Sequence, residues 1–142
     1  MASLTQVNDP AFEELRASIE EFAAGGRPVD RVIEAVCGCG NRRFLLVFDD
    51  EVGVAVRICT ECETEAEIAD SGEHFDDVDE VEQARCSCGN EEFTAATGFA
   101  LDAQGEVRWV SVGLRCTHDG LAGVYVDWKI DYLPSQHLLG NA

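Results

Sequence analysis

The sequence predicts a mainly β chain with one N-terminal helix, an α+β architecture whose strands form two small antiparallel three-stranded units. Three observations carry that expectation. One cysteine phrase occurs twice, as Cys37-Gly38-Cys39-Gly40-Asn41-Arg42-Arg43-Phe44 and as Cys86-Ser87-Cys88-Gly89-Asn90-Glu91-Glu92-Phe93. Each copy is followed by apolar residues at strand period, broken by a turn signal. Each excursion then ends at a further cluster, Cys59-x-x-Cys62 in the first copy and Cys116-Thr117-His118-Asp119 in the second.

Residues 9 to 24 read as a helix. Asp9 can cap the first amides, Pro10 suits the first helical position, and Phe12, Leu15, Ile19 and Phe22 recur on one face. Gly25-Gly26 and Pro28 stop it. Its stripe is expected to pack on the nearest three-stranded unit rather than to face a partner.

Val29 to Val36 leads into the first cysteine pair as a strand. Phe44 to Phe48 and Val52 to Ile58 flank Asp49-Asp50-Glu51 as a hairpin, with Val52, Val54, Val56 and Ile58 alternating. Thr64 to Ile68 is a third strand. From Glu61 to Glu82 there are eleven acids and no Lys or Arg. Mutual repulsion is expected to keep much of that stretch extended, as a linker or as a docking segment for a basic partner.

In the second copy Phe93 to Leu101 and Glu106 to Arg115 flank the turn Asp102-Ala103-Gln104-Gly105. Val124, Val126, Trp128, Ile130 and Tyr132 then share one face of a third strand. The aromatic row is expected to form the core beneath a metal, with a ligand groove of Trp109, Trp128 and Tyr125 as the alternative. After Leu133-Pro134 the tail should dock back through Leu138 and Leu139. The resulting layout is residues 1–28 for the helix, 29–68 for the first unit, 69–84 for an acidic linker, and 85–142 for the second unit with its tail.

Divided between two units, 142 residues of 46% hydrophobic content give cores that need staples. Seven cysteines suit two four-ligand metal sites, with one non-cysteine ligand, better than a disulfide framework. No apolar run approaches the roughly 18 residues of a membrane span, and the first residues lack a signal-peptide pattern, so a cytoplasmic location is expected. The formal charge of −18, from 28 acids and 10 bases, would reach about −21 with both sites loaded by Zn²⁺. Direct nucleic-acid binding through phosphates is thereby disfavoured, and a basic protein is the natural complement.

A tetrahedral structural metal site is commonly assembled from two local ligand pairs. Nineteen residues separate Cys39 from Cys59 and 27 separate Cys88 from Cys116, lengths that suit a two-strand excursion and return. Gly40 and Gly89 allow each knuckle to turn tightly, and Asn41 and Asn90 are placed to complete that turn. On these knuckles each half resembles the zinc-ribbon family, over residues 30 to 68 and 85 to 132. The resemblance implies two knuckles clamping a Zn²⁺ at the end of a three-stranded sheet. The chain departs from the usual pattern by using C-x-C at the first knuckle. Iron in a rubredoxin-like site is a lesser alternative, since only Cys59/Cys62 has that spacing.

The candidate ligands are Cys37, Cys39, Cys59 and Cys62 for one Zn²⁺, and Cys86, Cys88, Cys116 and His118 for the other. Aligning the repeats places Asp119 opposite Cys62, but imidazole is the commoner partner of three thiolates, which selects His118 and leaves Asp119 to accept a hydrogen bond. His74 and His137 are expected to be bystanders. An interleaved pairing, Cys59/Cys62 with Cys86/Cys88, is the alternative that the acidic run disfavours.

The expected role is therefore a non-enzymatic protein-interaction module with two structural zinc ions and an acidic surface, such as an inhibitor, an immunity protein or a transcription-associated factor. A zinc-dependent hydrolase or deaminase using the second site is the alternative, although neither H-x-E…P-C-x-x-C nor H-E-x-x-H occurs. Nucleic-acid binding is a further alternative, with Arg42-Arg43 as the only adjacent basic pair. Glu91-Glu92 stands at the same offset, a charge swap that could pair the two copies.

Overall fold

Helix α1 spans Pro10–Ala23 in the computed structural model, which describes residues 10–23 and 28–142. The expected cap Asp9 and stop Gly25-Gly26 lie outside the described residues. Leu15 and Ile19 are fully buried and pack with Ala96, as the helical spacing predicts, whereas Phe22 at the end of the stripe remains 53% exposed.

Eight strands follow. They are β1 (Arg31–Glu34), β2 (Phe44–Asp49), β3 (Val54–Cys59), β4 (Glu65–Glu67), β5 (Glu82–Gln83), β6 (Phe93–Leu101), β7 (Val107–Cys116) and β8 (Ala122–Lys129). A helical turn α2 (Ser71–His74) and a 3-10 turn Phe75–Asp77 lie between β4 and β5, and a second 3-10 turn, Gln136–Gly140, carries the tail. The fold is mainly β with one N-terminal helix. Each half holds a three-stranded antiparallel ladder, β2-β3-β4 and β6-β7-β8, but the two are not separate. They join into one eight-stranded antiparallel sheet in the order β4-β3-β2-β6-β7-β8, with β1 paired to β6 and β5 to β2.

The join lies at Phe44 opposite Phe93. These residues end the two copies of the cysteine phrase, so the halves meet about a local twofold relation. Both phenylalanines are fully buried, in one apolar cluster that runs through Leu46, Phe99, Val112, Leu114, Val126 and Ile130. Neither half buries this surface alone. Closing one sheet over a shared core removes the marginal stability expected of two small units.

Two elements cross from the first half to the second. Strand β1 pairs Arg31–Glu34 with Phe99–Ala96 of β6 rather than with β2. Helix α1 likewise packs chiefly on β7 and β8, with smaller contacts to β6 and β1, rather than on the β2-β3-β4 ladder of the first copy. The glycines of those strands explain the choice. A Cβ at Gly113 would lie 2.5 Å from Ile19 Cγ1, and one at Gly98 would lie 2.6 Å from Ile19 Cγ2. The sheet is bare there so that the helix can approach.

The acidic stretch, expected to stay extended, is folded onto the sheet. Asp70, buried at 4% exposure, accepts hydrogen bonds from Trp128 Nε1 at 3.0 Å and Tyr132 Oη at 2.9 Å, and pairs with His74 Nε2 at 3.1 Å. Ser71 Oγ accepts from the Ala55 amide at 2.8 Å and donates to the Ile68 carbonyl at 2.6 Å. One carboxylate turned inward gains enough partners to hold the segment, while its neighbours keep their charges in water. The tail closes beside this segment, burying Leu138, with the Ala69 amide donating to the Asn141 carbonyl at 2.8 Å and Ser135 Oγ donating to the Val107 carbonyl at 2.9 Å.

Candidate metal centres

The two copies of the cysteine phrase build the same knuckle. In the first, the Cys37 amide donates to the Asn41 carbonyl and the Gly40 amide returns to the Cys37 carbonyl, at 2.9 and 2.8 Å. In the second, Cys86, Asn90 and Gly89 repeat both bonds at 2.8 Å. Gly40 and Gly89 have φ of +94° and +95°, a region in which a side chain is strained. The second knuckle hangs from the end of a hairpin, at Cys59 opposite Phe44 and at Cys116 opposite Phe93.

This arrangement closes two clusters, each with its four donor atoms within 4.8 Å of one another. The first is Cys37, Cys39, Cys59 and Cys62, with Cys37 Sγ 3.5 Å from Cys62 Sγ and Cys39 Sγ 3.6 Å from Cys59 Sγ. The second is Cys86, Cys88, Cys116 and Asp119. Cys88 Sγ lies 3.7 Å from Cys116 Sγ, and both carboxylate oxygens of Asp119 lie 3.5 Å from Cys86 Sγ. Pairing is thus by repeat, not interleaved.

The fourth position of the second cluster is taken by Asp119, the residue that alignment of the repeats sets opposite Cys62, and not by His118, which the ligand preference of three thiolates selects. The turn geometry explains the correction. In each second knuckle the residues two and three places after the cysteine donate their amides to its sulfur: Glu61 and Cys62 to Cys59, His118 and Asp119 to Cys116, at 3.4 to 3.5 Å. The residue three places on turns its side chain into the cluster, and the residue two places on points out. His118 is exposed and contributes its amide. The preference of three thiolates for imidazole is overridden by the backbone. His74 is engaged by Asp70, and His137 lines a cleft beside Glu65 and Glu67. Neither belongs to a cluster among the described residues.

Asn41 and Asn90 do more than complete a turn. Asn41 Nδ2 donates to Cys59 Sγ at 3.2 Å, to the Arg43 carbonyl at 2.8 Å and to Thr60 Oγ1 at 3.0 Å. Asn90 Nδ2 does the same to Cys116 Sγ at 3.2 Å, the Glu92 carbonyl at 2.6 Å and Thr117 Oγ1 at 3.3 Å. The recurrence of Asn at one offset in both phrases, with Thr after both Cys59 and Cys116, is the sequence signal for these roles.

The electrostatics suit an anionic sulfur held for a cation. Burial raises the Cys59 thiol, but the Cys62 and Glu61 amides and the Asn41 side chain outweigh it and bring it down to about 6. Cys116 is lowered in the same way, against burial, by the Asp119 amide, the Asn90 side chain and the His118 amide. Cys62 is also lowered, first by its hydrogen bond with the Thr64 hydroxyl, whereas the exposed cysteines of the first knuckles move oppositely. Although the Asn41 amide lowers Cys39, its contact with Cys59, burial and the other thiols push it up to about 12, and Cys88 rises to about 11 despite the Asn90 amide. Crowded sulfurs cannot all ionise without a positive charge among them. Asp119 is held at about 2, first by the Leu121 amide at 2.9 Å.

The donor sets therefore fit metal ions at two positions, one of four thiolates and one of three thiolates and a carboxylate. Trp109, Trp128 and Tyr125 build no comparable ligand site. Trp128 is spent on Asp70, Trp109 Nε1 donates to Asp127 Oδ2 at 2.8 Å, and Tyr125 stands edge-on to Phe93 and Phe48. No helix among the described residues is long and apolar enough to cross a membrane. No protein-family model, curated protein or solved structure matches this chain.

Proposed function

We propose that the protein is a zinc-stabilised, non-enzymatic interaction module of the cytoplasm whose acidic surface engages a basic protein partner. The observation that carries this reading is the state of the acids from Glu61 to Glu82. Of those eleven, only Asp70 has an ion-pair partner among the described residues, and the other ten are exposed. They are displayed on folded chain rather than on a free linker. Glu65, Glu67 and Glu73 line an open cleft of about 510 Å³ with His137 and Asn141.

Zinc is the metal favoured by thiolate-rich tetrahedral donor sets. With four protein donors each, both centres leave no position for a water or substrate, which supports a structural role for the metal. The zinc would hold the knuckles, and the sheet would hold the acids. A cationic partner gains from an unneutralised field of this kind chiefly in association rate and selectivity.

The test joins metal analysis with binding. The isolated chain should carry two zinc ions, and a Lys/Arg-rich peptide should bind at low salt and be released as salt rises. Replacing Glu65, Glu67 and Glu73 together by Gln should weaken that binding. A chain with fewer than two metals overturns the centres; binding unaffected by those substitutions overturns the acidic surface as the docking site.

A further inference from the structure

The two metal centres lie on one transverse row of the sheet. Cys59 opposes Phe44, Phe44 opposes Phe93, and Phe93 opposes Cys116. Three interstrand steps of about 4.8 Å place the two knuckle cysteines roughly 14 Å apart. Along the rim of that row runs a second connection, made of side-chain hydrogen bonds and of the backbones of Arg43 and Glu92, from one sulfur to the other.

It begins at Cys59 Sγ, which accepts from Asn41 Nδ2 at 3.2 Å. Asn41 also grips Arg43 from both sides, donating to its carbonyl at 2.8 Å and accepting from its amide at 3.2 Å. The guanidinium of Arg43 crosses the local twofold relation and donates to Glu92 Oε1 at 3.3 Å. Glu92 is gripped by Asn90 as Arg43 is by Asn41, its amide donating at 3.3 Å and its carbonyl accepting at 2.6 Å. Asn90 Nδ2 ends the run on Cys116 Sγ at 3.2 Å. Thr60 and Thr117 brace the two carbonyls, each donating its hydroxyl to the Arg43 or the Glu92 oxygen, at 3.2 and 3.0 Å.

The copies carry opposite charge at two matching positions, 42/91 and 43/92, and the bridge uses the second, while Arg42 pairs with Glu34 and Glu91 with Arg85. Identical residues at 43 and 92 would leave two like charges or two neutral groups facing each other at the join. Arg against Glu instead links the copies, as the charge swap in the sequence allowed.

We propose that the two metal centres are coupled through the Asn41–Arg43–Glu92–Asn90 bridge, so that filling one raises the affinity of the other. The inference rests on the reading of both clusters as metal sites. A metal at the first centre fixes Cys59, hence the orientation of Asn41, hence the backbone and guanidinium of Arg43. Glu92 and Asn90 are then held in the pose that presents the Cys116 sulfur to the second metal. The second ion binds a site already ordered, and less of its binding free energy goes to arranging ligands. Linkage makes the effect reciprocal, with the same factor in both directions.

The magnitude is bounded by the weakest link. The Arg43 side chain is 64% exposed and that of Glu92 33%, so the ion pair contributes at most about 1 kcal/mol, or roughly fivefold in affinity. Cobalt(II) titration of the metal-free chain against a chelator, followed by thiolate-to-cobalt absorption, yields both stepwise constants. Arg43→Gln touches neither donor set and should still take up two ions, with the second-step constant weakened by roughly twofold to fivefold. Glu92→Gln should match it, and the exchange Arg43→Glu with Glu92→Arg should restore the parent value. Two ions bound with an unchanged second constant in Arg43→Gln overturns the coupling. Uptake of fewer than two ions by the parent chain overturns the metal sites themselves, so the two failures are distinct.

Discussion

Cys59 and Cys116 each accept two backbone amides and one asparagine side chain, and each opposes a buried phenylalanine across its hairpin. From that common frame the two centres diverge at the fourth donor, Cys62 against Asp119, and at the flank. Arg57, two residues before Cys59, lies over the Phe44 ring at 4.9 Å, where burial lowers its guanidinium pKa against the opposing pull of Cys37 and Cys59. The matching residue before Cys116 is Leu114, fully buried. The second centre faces Tyr125 instead, whose phenol is pushed up by burial and then by Cys86, Cys116 and Asp119. The backbone turn and its amides are common to both copies. What a copy can change is the side chain presented at a fixed place and the charge behind it.

Exchanging the fourth donor should have the largest effect on this comparison. A carboxylate is a harder and less tightly held ligand for zinc than a thiolate, so the second centre should surrender its metal to a chelator first. Asp119→Cys should slow that release until the two phases merge, and Cys62→Asp should leave two fast phases. Equal release rates in the unaltered protein would remove the distinction between the centres.

Removing the outer hydrogen bond comes next. Asn41→Ala and Asn90→Ala should each lower metal affinity about 10–100-fold, chiefly at their own centre, as measured by chelator competition. An equal loss at both centres from either substitution would mean that the asparagines act on the whole fold.

Acid should separate the centres by slope. Asp119 is depressed to about 2, so its contribution is complete above the ordinary carboxylate range and is lost only as pH falls through about 2. Over the range in which thiolates take up protons it stays anionic. Metal release should therefore consume four protons at the first centre and three at the second, with the shallower pH dependence at the second. Equal slopes would point to a fourth protonating ligand, such as the His118 imidazole.

The smallest effect concerns one backbone position. Glu63 occupies the left-handed region at φ 62°, where the other copy has Gly120 at φ 79°. Glu63→Gly should raise the stability of the loaded chain by about 1 kcal/mol, and Gly120→Ala should lower it by a similar amount, as read from thermal unfolding. Opposite signs would show that the two turns are not equivalent.

Seven of the eight donors were legible because their spacing is local. A knuckle needs two sulfurs on a short turn, and C-x-C-G-N and C-x-x-C announce one wherever they occur. The eighth was marked by the repeat, which sets Asp119 opposite Cys62, but the preference of thiolate sites for imidazole pointed to His118, and the direction of each side chain after the turn decides between them. Strand limits were legible from the turn signals that bound them, as at Phe93–Leu101 before Asp102-Ala103-Gln104-Gly105. The destination of β1 was not, since Arg31–Glu34 carries no mark that it will pair with β6 rather than β2. The acidic stretch misled for a related reason. Eleven like charges argue for extension, but the outcome turned on one of them, Asp70, meeting Trp128 and Tyr132 from the far end of the chain.

By itself, then, the sequence determined the parts: a duplicated metal-binding knuckle, the hairpins that return to it, an amphipathic helix and a surplus of negative charge. These depend on residues close together in the chain, where covalent geometry and period settle the conformation. The tertiary structure alone decided that the copies share one sheet, that Arg43 meets Glu92 across the join, and that Asp70 turns inward onto Trp128 and Tyr132. Those outcomes depend on burying Phe44 against Phe93 and on the direction of side chains in space, which no local spacing encodes.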